Sequence, residues 1–167
     1  MESNLNLASI CGLFCGSCSL YINTQENNID KLEVIAKSLN QTLEETFCDG
    51  CRAERKSAYC TKNCTFFDCA KERNISFCGE CKDYPCQELK DFQTKMPHRL
   101  ELWSSHERIN EVGWEIWMEE MTEHFKCTSC QTLNSAYNVT CRKCGFTPGN
   151  NFVLAHNESI LRFISSK

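Results

Sequence analysis

Residues 127–144 read CTSCQTLNSAYNVTCRKC, four cysteines in the spacing C-x2-C-x10-C-x2-C. Two cysteines two residues apart can curl a backbone turn around one metal, and two such knuckles complete a tetrahedron. Zinc prefers this closed, all-thiolate geometry and brings no redox chemistry. Cys127, Cys130, Cys141 and Cys144 are therefore expected to hold one zinc ion. Three more C-x2-C knuckles lie upstream, Cys15–Cys18, Cys48–Cys51 and Cys78–Cys81, with Gly16, Gly50 and Gly79 inside them. A small residue eases the tight turn there. Cys11, Cys60, Cys64, Cys69 and Cys86 stand singly, making eleven cysteines ahead of the finger. Two four-cysteine sites would use eight of them. Three sites would need a further ligand: a His, an Asp or a water. His98 and His106 fall on helical stretches and read as surface residues. The expected partition joins knuckles 15–18 and 48–51 around one metal, and Cys78 and Cys81 with two of Cys60, Cys64, Cys69 and Cys86.

The first three cysteines, C-x3-C-x2-C, have the spacing that radical S-adenosylmethionine enzymes use to hold a catalytic cluster. Here Ser17 stands where an aromatic usually precedes the last cysteine, ten residues precede Cys11, and no βα repeat follows. A radical enzyme is not expected. The bacterial ferredoxin run is absent too, since Pro85 precedes Cys86 rather than following it. Thiolate ligands alone do not separate zinc from iron, so an iron–sulfur cluster at the N-terminal cysteines stands as the alternative. Thiol–disulfide exchange would need an exposed, low-pKa cysteine at a helix N-terminus, normally in a βαβ setting. No such setting is visible.

Fifteen cysteines in 167 residues lie in the range where cross-links or metals carry the fold. The N-terminal MESNLNLASICGLF has no basic region, and Cys11 and Gly12 cut its apolar run, unlike a signal peptide. No window nears the ~18 consecutive apolar residues of a membrane span. A reduced, cytoplasmic, metal-thiolate protein away from the membrane is expected. The formal net charge is −4. Each zinc tetrathiolate adds −2, so two or three zinc sites bring the total to roughly −8 to −10. Nucleic acid is an unfavoured partner for such a chain.

The elements that must position these thiols read as helices. In NIDKLEVIAKSLNQTLEETF, Asp30 suits an N-cap with Glu33 behind it, and Ile29 and Val34 suit a hydrophobic staple. Leu32, Ile35 and Leu39 recur at helical spacing, and Thr42 with Glu45 offers a second capping box after a break near Asn40. From Pro85 to Phe125, Pro85 suits a first helical position with Leu89 and Phe92 facing inward. Pro97 and Gly113 should interrupt the helices. Trp103, Ile109, Val112, Ile116, Trp117 and Met121 supply an apolar stripe. Residues 88–124 hold nine Asp/Glu against four Lys/Arg, which reads as a solvated outer face. NNFVLAH is strand-like and NESILRFI suits a short helix. The expected fold is a small metal-rich α+β one, mostly helical with irregular cysteine knuckle loops and a C-terminal zinc-ribbon-like finger. Its parts are a cysteine-rich domain (1–92), a helical arm (93–124) and the finger with its tail (125–167).

The finger resembles Ran-binding-protein-type zinc fingers. Asn134 stands four residues after its second cysteine and Phe125 two before its first. Fingers of that kind bind single-stranded RNA or ubiquitin. This one has Phe where the RNA-binding members stack a tryptophan, and Gln131–Thr132 where the ubiquitin binders have Thr-Phe. Residues 122–156 hold Lys126, Arg142 and Lys143 against Glu123, a +2 that the zinc tetrathiolate cancels. A structural or protein-docking finger is expected, with RNA reading through Phe125, Asn134 and Arg142 as the alternative.

CGLFCGSCSLY, then CDGCR, then CGECKDYPCQEL resemble a cysteine-rich prokaryotic family without assigned function, common in anaerobes. The resemblance implies metal binding over roughly residues 8–92 and names no activity. No nucleophile–base pair or glycine-rich cofactor loop is apparent. A non-catalytic, zinc-bound binding or adaptor module with a protein partner is the functional expectation. It would carry two to three zinc sites, with an iron–sulfur or thiol redox protein as the alternative.

Overall fold

The structure, a computed structural model, describes residues 4–166. These form eight α-helices: α1 (Ser19–Gln25), α2 (Ile29–Leu39), α3 (Ala58–Lys62), α4 (Phe66–Arg73), α5 (Gln87–Thr94), α6 (Leu102–Val112), α7 (Trp114–Phe125) and α8 (Asn151–Ser165). Among the described residues, β pairing is confined to two isolated antiparallel bridges, Ala8 with Phe14 and Lys126 with Leu133. The fold is mostly helical, with less β-structure than the α+β expectation.

Helix boundaries follow local chemistry. Asn28, not Asp30, caps α2, its side chain accepting from Lys31 N–H at 3.3 Å. Val34 is 62 % exposed, so the expected staple does not form. Asn40 ends α2 in the left-handed region at φ 53°. Thr42 and Glu45 do exchange reciprocal hydrogen bonds, of 2.9 and 3.3 Å, but they cap only the single 3-10 turn Glu44–Thr46. Pro85 lies one residue before Cys86, the N-cap of α5, rather than at the first helical position. Helix α5 ends at Thr94, and Pro97 opens a separate 3-10 turn, Pro97–Arg99. Gly113, at φ 85°, separates α6 from α7. The largest departure is at the C-terminus, where the strand-like NNFVLAH is the first half of α8. Asn150 caps that helix, accepting from Val153 N–H at 2.8 Å, and this cap turns an ambiguous apolar run into a helix.

Helix α6 packs on α7, α7 on α8, and α8 on the 97–99 turn. The turn Cys15–Ser17 sits on α7 and the turn Cys78–Glu80 on α6, so this pair is the platform for the knuckles. One apolar cluster joins Ala8, Phe14 and Phe77 to Ile109, Trp117 and Phe125, and onward to Ala136, Phe152 and Ile160. N-terminal region, helical arm and finger thus share one core. Ile116, expected on the buried stripe, faces out, and Met118 takes the inward place.

Candidate metal centres

The finger is built from two knuckles of the same backbone design. Cys127 N–H donates to Thr132 O at 2.9 Å, and Gln131 N–H to Cys127 O at 2.9 Å. In the second knuckle Cys141 N–H donates to Phe146 O at 2.8 Å, and Gly145 N–H to Cys141 O at 2.9 Å. Each knuckle is followed by a left-handed residue, Gln131 at φ 61° and Gly145 at φ 73°. These turns aim four sulfurs at one point: Cys127 and Cys144 Sγ lie 3.7 Å apart, Cys130 and Cys141 Sγ 3.6 Å apart. All four sulfurs fall within 4.8 Å of one another. Sulfurs placed about 2.3 Å from a tetrahedral zinc are separated by about 3.8 Å, so the spacing fits a metal ion. Burial raises the Cys141 thiol, but N–H groups of Cys144 and Lys143 and the Asn134 amide outweigh it and draw it below its ordinary pKa. That favours the thiolate a metal requires.

Asn134 is fully buried and braces both knuckles. Its Nδ2 donates to Thr132 O (2.9 Å) and Gly149 O (3.0 Å), and its Oδ1 accepts from Arg142 N–H at 3.0 Å. Phe125 is buried too, stacked against Phe152 with ring centroids 5.2 Å apart and against Phe14 on its other neighbour's side. No face of Phe125 is left for a nucleic-acid base. Arg142 Nη2 donates to Glu26 Oε1 at 2.6 Å, and its Nε to Leu133 O at 2.9 Å. In this arrangement the three candidate RNA-reading residues serve the packing of the finger.

The eleven N-terminal cysteines are gathered less tightly. Among the described residues no other three Cys, His, Asp or Glu bring ligand atoms within 4.8 Å of one another. Cys11, Cys51, Cys64 and Cys78 pack into one apolar cluster with Leu89 and Leu102. Cys78 N–H donates to Ile10 O at 2.8 Å, tying the third knuckle to the segment that carries Cys11. Ser9 Oγ lies 3.2 Å from Cys11 Sγ. Burial raises the Cys18 and Cys15 thiols, with nearby Cys48 adding at Cys18 and Cys51 adding at Cys15. Burial pushes the Cys11 and Cys60 thiols up to about 12. Without a metal these sulfurs stay protonated. Cys69 and Cys81 flank Arg73, which donates to Cys81 Sγ at 3.3 Å and to Asp83 at 2.6 Å, and Cys86 is exposed. The donor set suits a thiophilic metal and by itself fits zinc and iron alike.

Several polar residues of the helical arm are covered rather than solvated. His106 is 1 % exposed, not a surface residue. Its ring lies against the backbones of Gly12 and Gly79, where an added Cβ would sit 2.8 and 2.9 Å from ring nitrogens. Among the described residues neither ring nitrogen has a partner at hydrogen-bond geometry. His98 Nδ1 lies 2.6 Å from Tyr137 Oη. Glu101 bridges two imidazoles, at 3.0 Å from His124 Nε2 and 2.8 Å from His156 Nε2. The available signal was Gly12, between the first two cysteines, and Gly79, inside the third knuckle, which let the ring approach the backbone.

No helix is long and apolar enough to cross a membrane. No curated protein and no solved structure matches the chain. One family matches residues 7–91, just over half of the sequence and including all eleven N-terminal cysteines, and on that match the chain belongs to the family described as protein of unknown function (DUF3795).

Proposed function

We propose that this protein is a cytoplasmic, zinc-stapled binding or adaptor module without catalysis of its own. The observation that carries the reading is the closure of the finger. Four thiols within 4.8 Å of one another leave a zinc ion no free coordination position, which is the arrangement of structural rather than catalytic zinc. The likeness to Ran-binding-protein-type fingers belongs to this reading as a scaffold. The N-terminal thiols would hold one or two further ions and bind the irregular loops into one body with a protein partner's surface on the outside.

A second reading is favoured by one feature, the six thiols that line a common cavity: Cys11, Cys15, Cys18, Cys51, Cys60 and Cys64. Such a set would also suit an iron–sulfur cluster. Metal analysis with an absorption spectrum after anaerobic purification decides between them. Colourless protein with two to three zinc ions supports the adaptor. Brown protein with iron and acid-labile sulfide supports the redox reading.

A further inference from the structure

A cavity of about 330 Å³ lies between the N-terminal knuckles and the 97–99 turn, and Tyr59, His98, Arg99 and Tyr137 share its wall with the six thiols. Arg99 is 4 % exposed, and among the described residues no carboxylate pairs with it. Its Nε donates to His98 Nε2 (3.3 Å), Nη1 to Phe92 O (2.7 Å) and Nη2 to Tyr59 Oη (3.1 Å). Three of its five N–H protons are thereby used. Glu101, the carboxylate on the same wall, spends its oxygens on His124 and His156.

The hydrogen bonds fix which protons remain. Because His98 Nε2 accepts from Arg99, its proton sits on Nδ1 and is donated to Tyr137 Oη, 2.6 Å away. Tyr137 then keeps its own O–H to give, and so does Tyr59, which accepts from Arg99. A neutral imidazole bonded through both nitrogens and a phenol that keeps its proton are uncharged, so neither group offsets the charge of Arg99. The cavity corner thus offers two guanidinium N–H groups and two phenol O–H groups with no acceptor. Metal-bound thiolates across the cavity would offset part of the Arg99 charge, but among the described residues none accepts a hydrogen bond from it, and buried donors left unpaired are costly.

We propose that this cavity binds a small organic carboxylate, with Arg99 as its anchor. Arginine's planar fork matches a carboxylate, and the wall beyond it is mostly apolar, with Leu13, Leu20, Phe92, Leu102 and Met121 on it. The volume is about twice that of the ~150 Å³ apolar cavity that takes up benzene, and sits at the lower end of the ~300–1,000 Å³ of ligand pockets. The ligand is therefore an apolar body with a single anionic head. The inference goes beyond the metal reading: with a metal ion held by the six thiols, the ligand takes the Arg99 end of the cavity, whichever ion the thiols hold.

The test uses full-length protein carrying its own metals, titrated calorimetrically with hexanoate and benzoate, and with hexanol and benzamide as neutral counterparts. Saturable 1:1 binding of at least one carboxylate is expected, at least tenfold tighter than its neutral counterpart. Arg99→Met should abolish that preference while metal content stays unchanged. Should Arg99→Met fail to fold, Tyr137→Phe removes one donor and should weaken the carboxylate several-fold without affecting the neutral compound. Absence of saturable binding by both carboxylates would overturn the proposal, as would equal affinity for the neutral compounds. It is equally overturned if Arg99→Met sheds metal and carboxylate binding is nowhere seen, since Arg99 is then the counter-charge of the thiolates.

Discussion

Phe125, the last residue of α7, packs on Phe14 with ring centroids 6.0 Å apart and planes inclined by 29°. Phe14 lies inside the first cysteine group and Phe125 at the edge of the finger, so this contact joins the two cysteine-rich ends. One apolar cluster runs from the first cysteine group through the helical arm to the finger.

That contact changes what losing the finger's metal should do. Cys141→Ser, or chelation, should destabilise the whole protein rather than residues 125–150 alone, because Ala136 and Phe152 belong to the cluster that holds Phe14 and Phe77. Structural zinc contributes apparent binding energies of ~10–16 kcal/mol, comparable with the ~5–15 kcal/mol stability of a typical protein. Hydrogen exchange should show protection lost around Ile10 and Phe77 together with the finger. Loss restricted to the finger would restore the two-unit view.

Asn134→Ala should cost about 3 kcal/mol. It leaves the buried Gly149 carbonyl and the Arg142 N–H without their partner, at ~1–3 kcal/mol each, although alternative waters can offset part of this. Denaturant unfolding of the metal-loaded variant measures it, and a change under 1 kcal/mol would remove Asn134 from the frame of the finger.

Gln131→Gly should stabilise. Gln131 occupies the left-handed position that Gly145 fills in the other knuckle, and a side chain there costs ~1–2 kcal/mol. The glycine loses about half of that to unfolded-state entropy, leaving a gain near 0.5–1 kcal/mol. A lower unfolding midpoint for the variant would contradict it.

His98 should make stability depend on pH. Its folded pKa is about 3, depressed from 6.5 by burial with Arg99 adding, so between those values the unfolded chain binds the extra proton. The stabilising contribution is complete above 6.5 and is lost as pH falls towards 3. From pH 7 to 5 that is about 2 kcal/mol at 1.36 kcal/mol per unit. His98→Gln should lack this part of the acid sensitivity, measured as the difference between the two proteins' unfolding free energies at both pH values. Metal release on acidification is common to both and cancels. Identical pH profiles would rule the effect out.

The four finger thiols were legible because a knuckle is local: the turn that aims two sulfurs spans six residues, and its sequence spacing survives folding. Pro97 and Gly113 were legible as breaks for the same reason. Arg99, His98 and His106 were not, since polar residues within an acidic helical stretch look solvated until distant segments cover them. His106 becomes buried only when Gly12 and Gly79 meet across it. The start of α8 reads as a strand because the four-residue apolar run Phe152–Ala155 fits either periodicity, and only the Asn150 cap decides. How the eleven N-terminal thiols group depends on contacts between segments up to seventy residues apart, which spacing does not encode.

The shared core also sets an order of events during synthesis. Ala8 and Phe14 leave the ribosome early, yet Phe152 and Ile160, which close the same cluster, are made about 150 residues later. At ~5–20 residues per second this is a delay of about 8 to 30 s. Over that interval the eleven N-terminal thiols are made one after another with their hydrophobic cover unfinished. The nascent chain is then at its most vulnerable to oxidants and to mismatched ions, and its yield depends on a reducing, metal-buffered surrounding while the C-terminal helix is still being translated.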